Sequence, residues 1–104
     1  MRRYDVIVIG AGDVGLSVAF KASSAGLRVA LVEKGHPGGT CVNYGCVPSK
    51  TLLHTADRII EIREAVKLGI RTEITRVDFR AVMDRMKNAV SSGRDRIKTA
   101  IEET

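Results

Sequence analysis

Two cysteines, Cys41 and Cys46, stand with four residues between them. In a regular helix five steps rise about 7.5 Å, beyond the roughly 4.4–6.8 Å between Cα atoms that a disulfide needs. Pairing therefore requires a break in the backbone, which Asn43 and Gly45 permit. Pro48 suits the first turn of a helix, where no N–H is needed. That places Cys46 at or just before a helix N-terminus, where the dipole favours a thiolate and Lys50 adds positive charge. The chemistry implied is that of a reactive, reducible pair. Two other readings compete: inert buried thiols, or half of a metal site. No further cysteine exists, and His36 and His54 are poor ligand partners by spacing, so no metal is expected. His36 belongs to the loop before the cysteines, and His54 reads as a helix-surface residue.

A second chemical pattern lies upstream. Gly10, Gly12 and Gly15 fit G-x-G-x-x-G, with Asp13 and Val14 at the variable positions, directly after an apolar strand and at the start of a helix. In that context the three glycines allow, in turn, a tight turn, close approach of a pyrophosphate, and helix-on-strand packing. The helix N-terminus adds free N–H groups and a partial positive charge for phosphates. Glu33 follows Gly10 by 23 residues and ends the next strand, where an acid accepts hydrogen bonds from a ribose 2′-hydroxyl. A carboxylate there disfavours a 2′-phosphate, so FAD or NAD fits this site and NADP does not.

The elements that must position these residues follow from the flanking pattern. Tyr4–Ile9 reads as a strand buried on both faces, because Val6–Ile9 is continuously apolar. A helix is expected from Leu16 to Ala25, ended by Gly26, then a second strand over Leu27–Val32. This makes one right-handed βαβ unit over 4–33 with parallel strands. A Gly/Pro-rich loop, Gly35–Gly39, leads to a long helix from Pro48 to about Lys67, carrying Leu52, Ala56, Ile59, Ile60 and Val66 on an apolar stripe and closed by Gly69. Residues 69–77 read as an irregular connection with a short extended piece at 70–74. Asp78 is the N-cap of a last helix, 78–103, with Phe79, Val82, Met83, Met86, Val90, Ile97 and Ile101 on one stripe. Gly93 is expected to weaken or bend it.

Composition excludes several classes. The 104 residues hold 17 Lys+Arg and 12 Asp+Glu, a net charge of +5, with 44% hydrophobic residues. That is ordinary globular usage, and no apolar run reaches the 18 or so residues of a spanning helix. Asp5 and Asp13 interrupt the early apolar stretch, so it does not read as a signal peptide. The expected location is the cytoplasm, with no membrane partner. Basic and acidic residues alternate in the second half and only four aromatics occur, so no nucleic-acid partner is expected.

The blocks Gly10-Ala11-Gly12-x-x-Gly15, Val32-Glu33-Lys34 and Gly39-Thr40-Cys41-Val42-Asn43-Tyr44-Gly45-Cys46-Val47-Pro48-Ser49-Lys50 resemble the start of the flavin-dependent pyridine nucleotide–disulfide oxidoreductases, the class I flavin disulfide reductases. Val47-Pro48-Ser49-Lys50 is closer to dihydrolipoamide dehydrogenases and mercuric reductases than to glutathione reductases, where Lys often stands in place of Ser49. Tyr44 departs from the usual Val, and Asp13-Val14 from small residues or Pro. The resemblance implies an α/β, Rossmann-like FAD-binding fold: the βαβ unit 4–33, a redox loop and helix 38–68 and a helix 78–103, two long helices on an incomplete parallel sheet. It implies that Gly10, Gly12 and Gly15, with Asp13 and Val14 between them, cradle the FAD pyrophosphate, that Glu33 and Lys34 lie at the adenosine ribose, and that Gly39, Thr40 and Lys50 lie near the cofactor. Cys46 becomes the flavin-side thiolate and Cys41 the thiol that exchanges with substrate.

Members of this family are several times longer. By resemblance the chain is the N-terminal part of an FAD-binding domain, without the nicotinamide domain or the dimerisation domain whose His–Glu pair serves the exchanging thiol; neither His36 nor His54 matches that His. It is expected not to turn over NAD(P)H alone and to associate with the remainder of the flavoenzyme or with another copy, as a homo-oligomer. The competing function is a non-catalytic nucleotide-binding or interaction subunit of a larger flavoprotein.

Overall fold

The computed structural model describes all residues from Met1 to Thr104. Strand β1 (Val6–Ile9) pairs in parallel with β2 (Val29–Val32), Val6 opposite Val29 and Ile9 opposite Val32. Helix α1 (Asp13–Ser24) makes the crossover. Its C-terminal turn is closed by Ala25 and Gly26 amides donating back into it, and Gly26 has a φ of 86°, the left-handed stop that the sequence places there. The helix starts three residues earlier than its apolar pattern suggests, because the glycine turn itself feeds into it.

Only one face of the sheet is covered. Val6 and Val8 are half-buried, whereas Ile7 is 64% and Ile9 86% exposed. The expectation of a strand buried on both faces is therefore wrong for these residues: continuous apolarity reports that both faces favour burial, and this chain supplies a cover for one. The buried core is small, consisting of Ala11, Ala19 and Val90 with Gly38 and Asn43.

Beyond β2 the chain is helical. A short helix α2 (Gly39–Asn43) stands where the sequence suggests only a loop. Helix α3 (Cys46–Glu64) begins at Cys46, tightens into a 3₁₀ turn over Ala65–Leu68 and ends at Gly69. Pro48 falls in the first turn, where its missing N–H leaves no helical bond unmade. Leu52 and Ile59 of the expected stripe are half-buried, but Ala56, Ile60 and Val66 face solvent, and α3 has no fully buried residue. No strand forms at 70–74; Thr72 Oγ1 instead donates to the Ile62 carbonyl at 2.8 Å, drawing this segment back along α3.

Helix α4 (Phe79–Glu102) is capped by Asp78, whose carboxylate accepts from the Ala81 amide at 3.1 Å. It returns antiparallel to α3: Arg85 donates to the Thr51 carbonyl, and Gly93 meets Val42. Val82, Met83, Met86, Val90, Ile97 and Ile101 face inward, while Phe79 is 69% exposed. Gly93 does not interrupt the helix. A Cβ there would lie 3.0 Å from Val42 Cγ1, so this glycine lets α2 seat against α4. The α3–α4 hairpin stretches the molecule to 68 × 25 × 19 Å with a radius of gyration of 20.0 Å, against about 13 Å for a compact domain of this length. No helix is long and apolar enough to cross a membrane.

Candidate functional site

The glycine turn is fixed by contacts that only glycine allows. A Cβ on Gly15 would lie 1.9 Å from the Gly10 carbonyl oxygen, so a side chain there would force the turn off the helix. Gly10 has a φ of 104°, and its N–H donates to the Val32 carbonyl at 2.7 Å, continuing the parallel ladder into the turn. Gly12 is the N-cap of α1 and no side chain caps the helix. The first N–H groups of α1 thus have no side-chain acceptor, as an anion-binding helix end requires.

The segment carrying the cysteines is pressed onto this turn. The Gly38 amide donates to the Ala11 carbonyl at 2.7 Å. Gly39 has a φ of 65°, and a Cβ on it would lie 2.8 Å from the Gly12 Cα. The two backbones therefore touch at a pair of glycines. Residues from both segments line one cleft of about 780 Å³: Gly10, Gly12, Asp13, Val14 and Gly15 on one side, Gly39, Thr40 and Cys41 on the other, with β1 as the floor. This is the volume range of small-molecule sites.

Glu33 is half-buried and takes a more local role than the sequence suggests. One carboxylate oxygen accepts from the Ala11 amide at 3.0 Å and the other from the Gly35 amide at 2.9 Å. These bonds, Gly35 first and then Ala11, hold its pKa below the ordinary carboxylate value. Glu33 thereby ties the end of β2 to the glycine turn, and each oxygen keeps lone-pair capacity for a ribose hydroxyl. Lys34 is exposed beside it.

The break between the cysteines is confined to Tyr44 and Gly45. Gly45 sits where a Cβ would lie 3.1 Å from the Thr40 carbonyl oxygen and 3.6 Å from the Cys41 Cα, so the chain folds back onto α2. The fold-back sets the two thiols side by side at the junction of α2 and α3, both as free thiols. A hydrogen bond with the Cys46 sulfur, then partial burial, raises the Cys41 pKa above the usual thiol value, with a small contribution from the Asp13 carboxylate across the cleft. Cys41 faces the cleft; Cys46 is exposed at the first position of α3 and does not line it. Lys50 is exposed one turn further along α3 and does not reach the cleft either.

Two residues of this junction escape a reading by motif. Asn43 is one of the few buried side chains, and its amide nitrogen donates to the carbonyls of Gly39 (2.9 Å), Pro37 (3.3 Å) and His36 (3.4 Å). Its oxygen accepts from the Arg94 guanidinium of α4. An amide side chain between the two cysteines is the one sequence signal for Asn43; nothing local marks Arg94. No group of acidic, cysteine and histidine side chains suited to a metal is present.

Comparison with known proteins agrees with this geometry. The family model described as pyridine nucleotide-disulphide oxidoreductase matches residues 4–102. A dihydrolipoyl dehydrogenase of Chlamydia trachomatis serovar D is 45% identical over 92 residues, covering 88% of this chain and 20% of that protein. A dihydrolipoyl dehydrogenase of Staphylococcus aureus is 41% identical over 87 residues, covering 84% of this chain and 19% of that protein. A mercuric reductase of Lysinibacillus sphaericus is 39% identical over 92 residues, covering 88% and 17%. The chain spans about a fifth of the length of the curated relatives it matches. With the matched region running through the glycine turn, both cysteines and α4, the chain belongs to the pyridine nucleotide-disulphide oxidoreductase family.

Proposed function

We propose that this chain is the FAD-binding and redox-active-disulfide portion of an NAD(P)H-dependent disulfide oxidoreductase of the dihydrolipoyl dehydrogenase or mercuric reductase type, working in the cytoplasm. The observation that carries the reading is the shared cleft, in which the glycine turn and Cys41 face each other across the Gly12–Gly39 contact. The cleft suits a dinucleotide: Gly10, Gly12 and Gly15 leave room for a pyrophosphate and the uncapped start of α1 supplies donors, while Glu33, outside the cleft lining but bonded to Ala11 at the end of β2, would meet a ribose. FAD, when bound, supplies a two-electron carrier between nicotinamide and sulfur.

The chain's own part is the sulfur couple. Two thiols at Cys41 and Cys46 lose two electrons and two protons as one S–S bond forms, and the reverse step takes them up again. Reduced Cys41 and Cys46 pass the pair to a substrate disulfide by exchange: the Cys41–Cys46 bond re-forms, the substrate S–S bond breaks and two substrate thiols leave; a mercuric ion would instead be held by the two sulfurs as ligands. The hydrogen bond with Cys46, then partial burial, favours the thiol form of Cys41, and neither His36 nor His54 lines the cleft. The two-stranded sheet, with its outer edges unpaired and Val32 exposed, supports association with further protein of the same enzyme or a second copy. Titrating FAD into the chain while following flavin fluorescence tests the reading. Saturable quenching that Gly15→Val abolishes is expected. Equal behaviour of wild type and Gly15→Val would refute the cradle. FAD binding with cysteines that never form a disulfide would favour a non-catalytic nucleotide-binding subunit.

A further inference from the structure

The redox pair is held by a polar strut that reaches across the fold. Asn43 ends the cysteine helix α2, and its buried amide gathers the carbonyls of His36, Pro37 and Gly39. Those residues form the segment that rests on the glycine turn through the Gly38–Ala11 bond and the Gly12–Gly39 contact. An amide has two donors and one carbonyl oxygen. The donors are used by the loop, and the oxygen is taken by Arg94, 51 residues later on α4. Next to it Gly93 admits Val42 at close range. The neighbouring residues 93 and 94 thus fix α2 by two different means, shape and charge-assisted hydrogen bonding.

We propose that Arg94 is a positioning residue for the Cys41–Cys46 couple, acting through Asn43 to hold α2 in the register at which the two sulfurs meet; this rests on the redox reading above. Arg94 does not touch either sulfur. Its guanidinium polarises and orients the Asn43 amide, which fixes the α2 backbone two residues beyond Cys41. The turn at Tyr44–Gly45 then has one geometry available and presents Cys46 to Cys41. Released from Arg94, α2 is free to rotate about that turn, and the sulfurs spend less time within bonding distance. When glutathione disulfide is the oxidant, closing the Cys41–Cys46 bond transfers two electrons and two protons to it and releases two glutathione thiols. Arg94 acts on the equilibrium constant of that exchange.

The test is a glutathione redox titration of the whole chain, with acid quench, alkylation and mass measurement of the Cys41/Cys46 peptides. Arg94→Met keeps the length and apolar stem of the side chain and is expected to lower the constant for disulfide closure about tenfold. Arg94→Lys, which retains a cation, should fall between the two. Arg85→Met, which removes a guanidinium from the same helix where it meets only the Thr51 carbonyl, should leave the constant unchanged. In an Asn43→Ala background, Arg94→Met should add nothing, because the strut is already cut. A folded Arg94→Met with the wild-type constant, or an Arg94 effect that persists undiminished without Asn43, would overturn the assignment. If Arg94→Met alters helix content, the comparison of Arg94→Lys with Arg85→Met decides on the same criterion. A wild-type chain that forms no Cys41–Cys46 disulfide at any glutathione ratio would refute the redox reading itself, a result distinct from an unchanged Arg94→Met.

Discussion

The two ends of this molecule are built on different terms. At the junction of the glycine turn with α2, backbones touch through glycines, and Glu33 spends both carboxylate oxygens, and Asn43 its amide nitrogen, on main-chain groups. At the far end, the last turns of α3, the 3₁₀ turn and residues 69–77 pack loosely, with Ile60, Val66, Leu68 and Ile70 all more than half exposed. The only ion pairs there are exposed ones one turn apart, Arg58–Glu61 and Lys67–Glu64, and such pairs contribute little. The contrast is one of packing: backbones in contact at the junction leave little room to move, whereas the arm has few buried side chains to hold it.

Substitutions at the junction should therefore dwarf those at the arm. The largest effect is expected from Cys41→Ser or Cys46→Ser, which leaves one sulfur and abolishes the intramolecular couple outright; thiol counting before and after oxidation checks it. Gly15→Val comes next. The side chain meets the Gly10 carbonyl, so the turn must move, at a cost of about 3 kcal/mol or more by urea unfolding, typical of overpacking at a close contact. Asn43→Ala strands buried partners on the loop and on Arg94, and is expected to cost about 2–3 kcal/mol. At the arm, Leu68→Ala, at a site 81% exposed, should stay within about 0.5 kcal/mol of wild type. A loss at Leu68 equal to that at Asn43 would erase the contrast.

Acid provides a subtler probe of the same junction. The Glu33 pKa is lowered in the fold by the Gly35 and Ala11 amides, so its stabilising effect is fully present above the ordinary value of 4.5 and fades as pH falls through the depressed one. Unfolding midpoints measured downward from pH 5 should decline in wild type and decline less in Glu33→Gln. Matching pH profiles would mean that the bonds to Ala11 and Gly35 contribute nothing to holding the turn.

What the sequence discloses divides along the same line. The glycine turn, Pro48 in a first turn and the Asp78 cap are local features, each set by residues within a few positions, and the structure has them where spacing predicts; the parallel pairing of β1 with β2 spans 23 residues and follows from the βαβ connection. Helix α2 escapes detection because five residues, with Gly at the start and a β-branched Thr and Val among them, give no periodic signal. The strut from Arg94 to Asn43 and the Gly93–Val42 contact join segments some fifty residues apart, which no local pattern encodes. The apolar run of β1 marks a strand suited to burial; whether anything covers Ile7 and Ile9 is a property of the assembly, not of the run. The glycine spacing predicts the tight turn at the start of α1, but not that Glu33 ties that turn to the end of β2.

The central claim is that one cleft joins the glycine turn to Cys41, with Cys46 beside Cys41 just outside it, and amide NMR of the chain tests it most directly. Adding FAD should shift the resonances of residues 10–15 and 38–41, and oxidising Cys41 and Cys46 in a separate sample should shift an overlapping set. Two disjoint sets, with oxidation felt only along α3 and FAD felt away from the glycines, would contradict it.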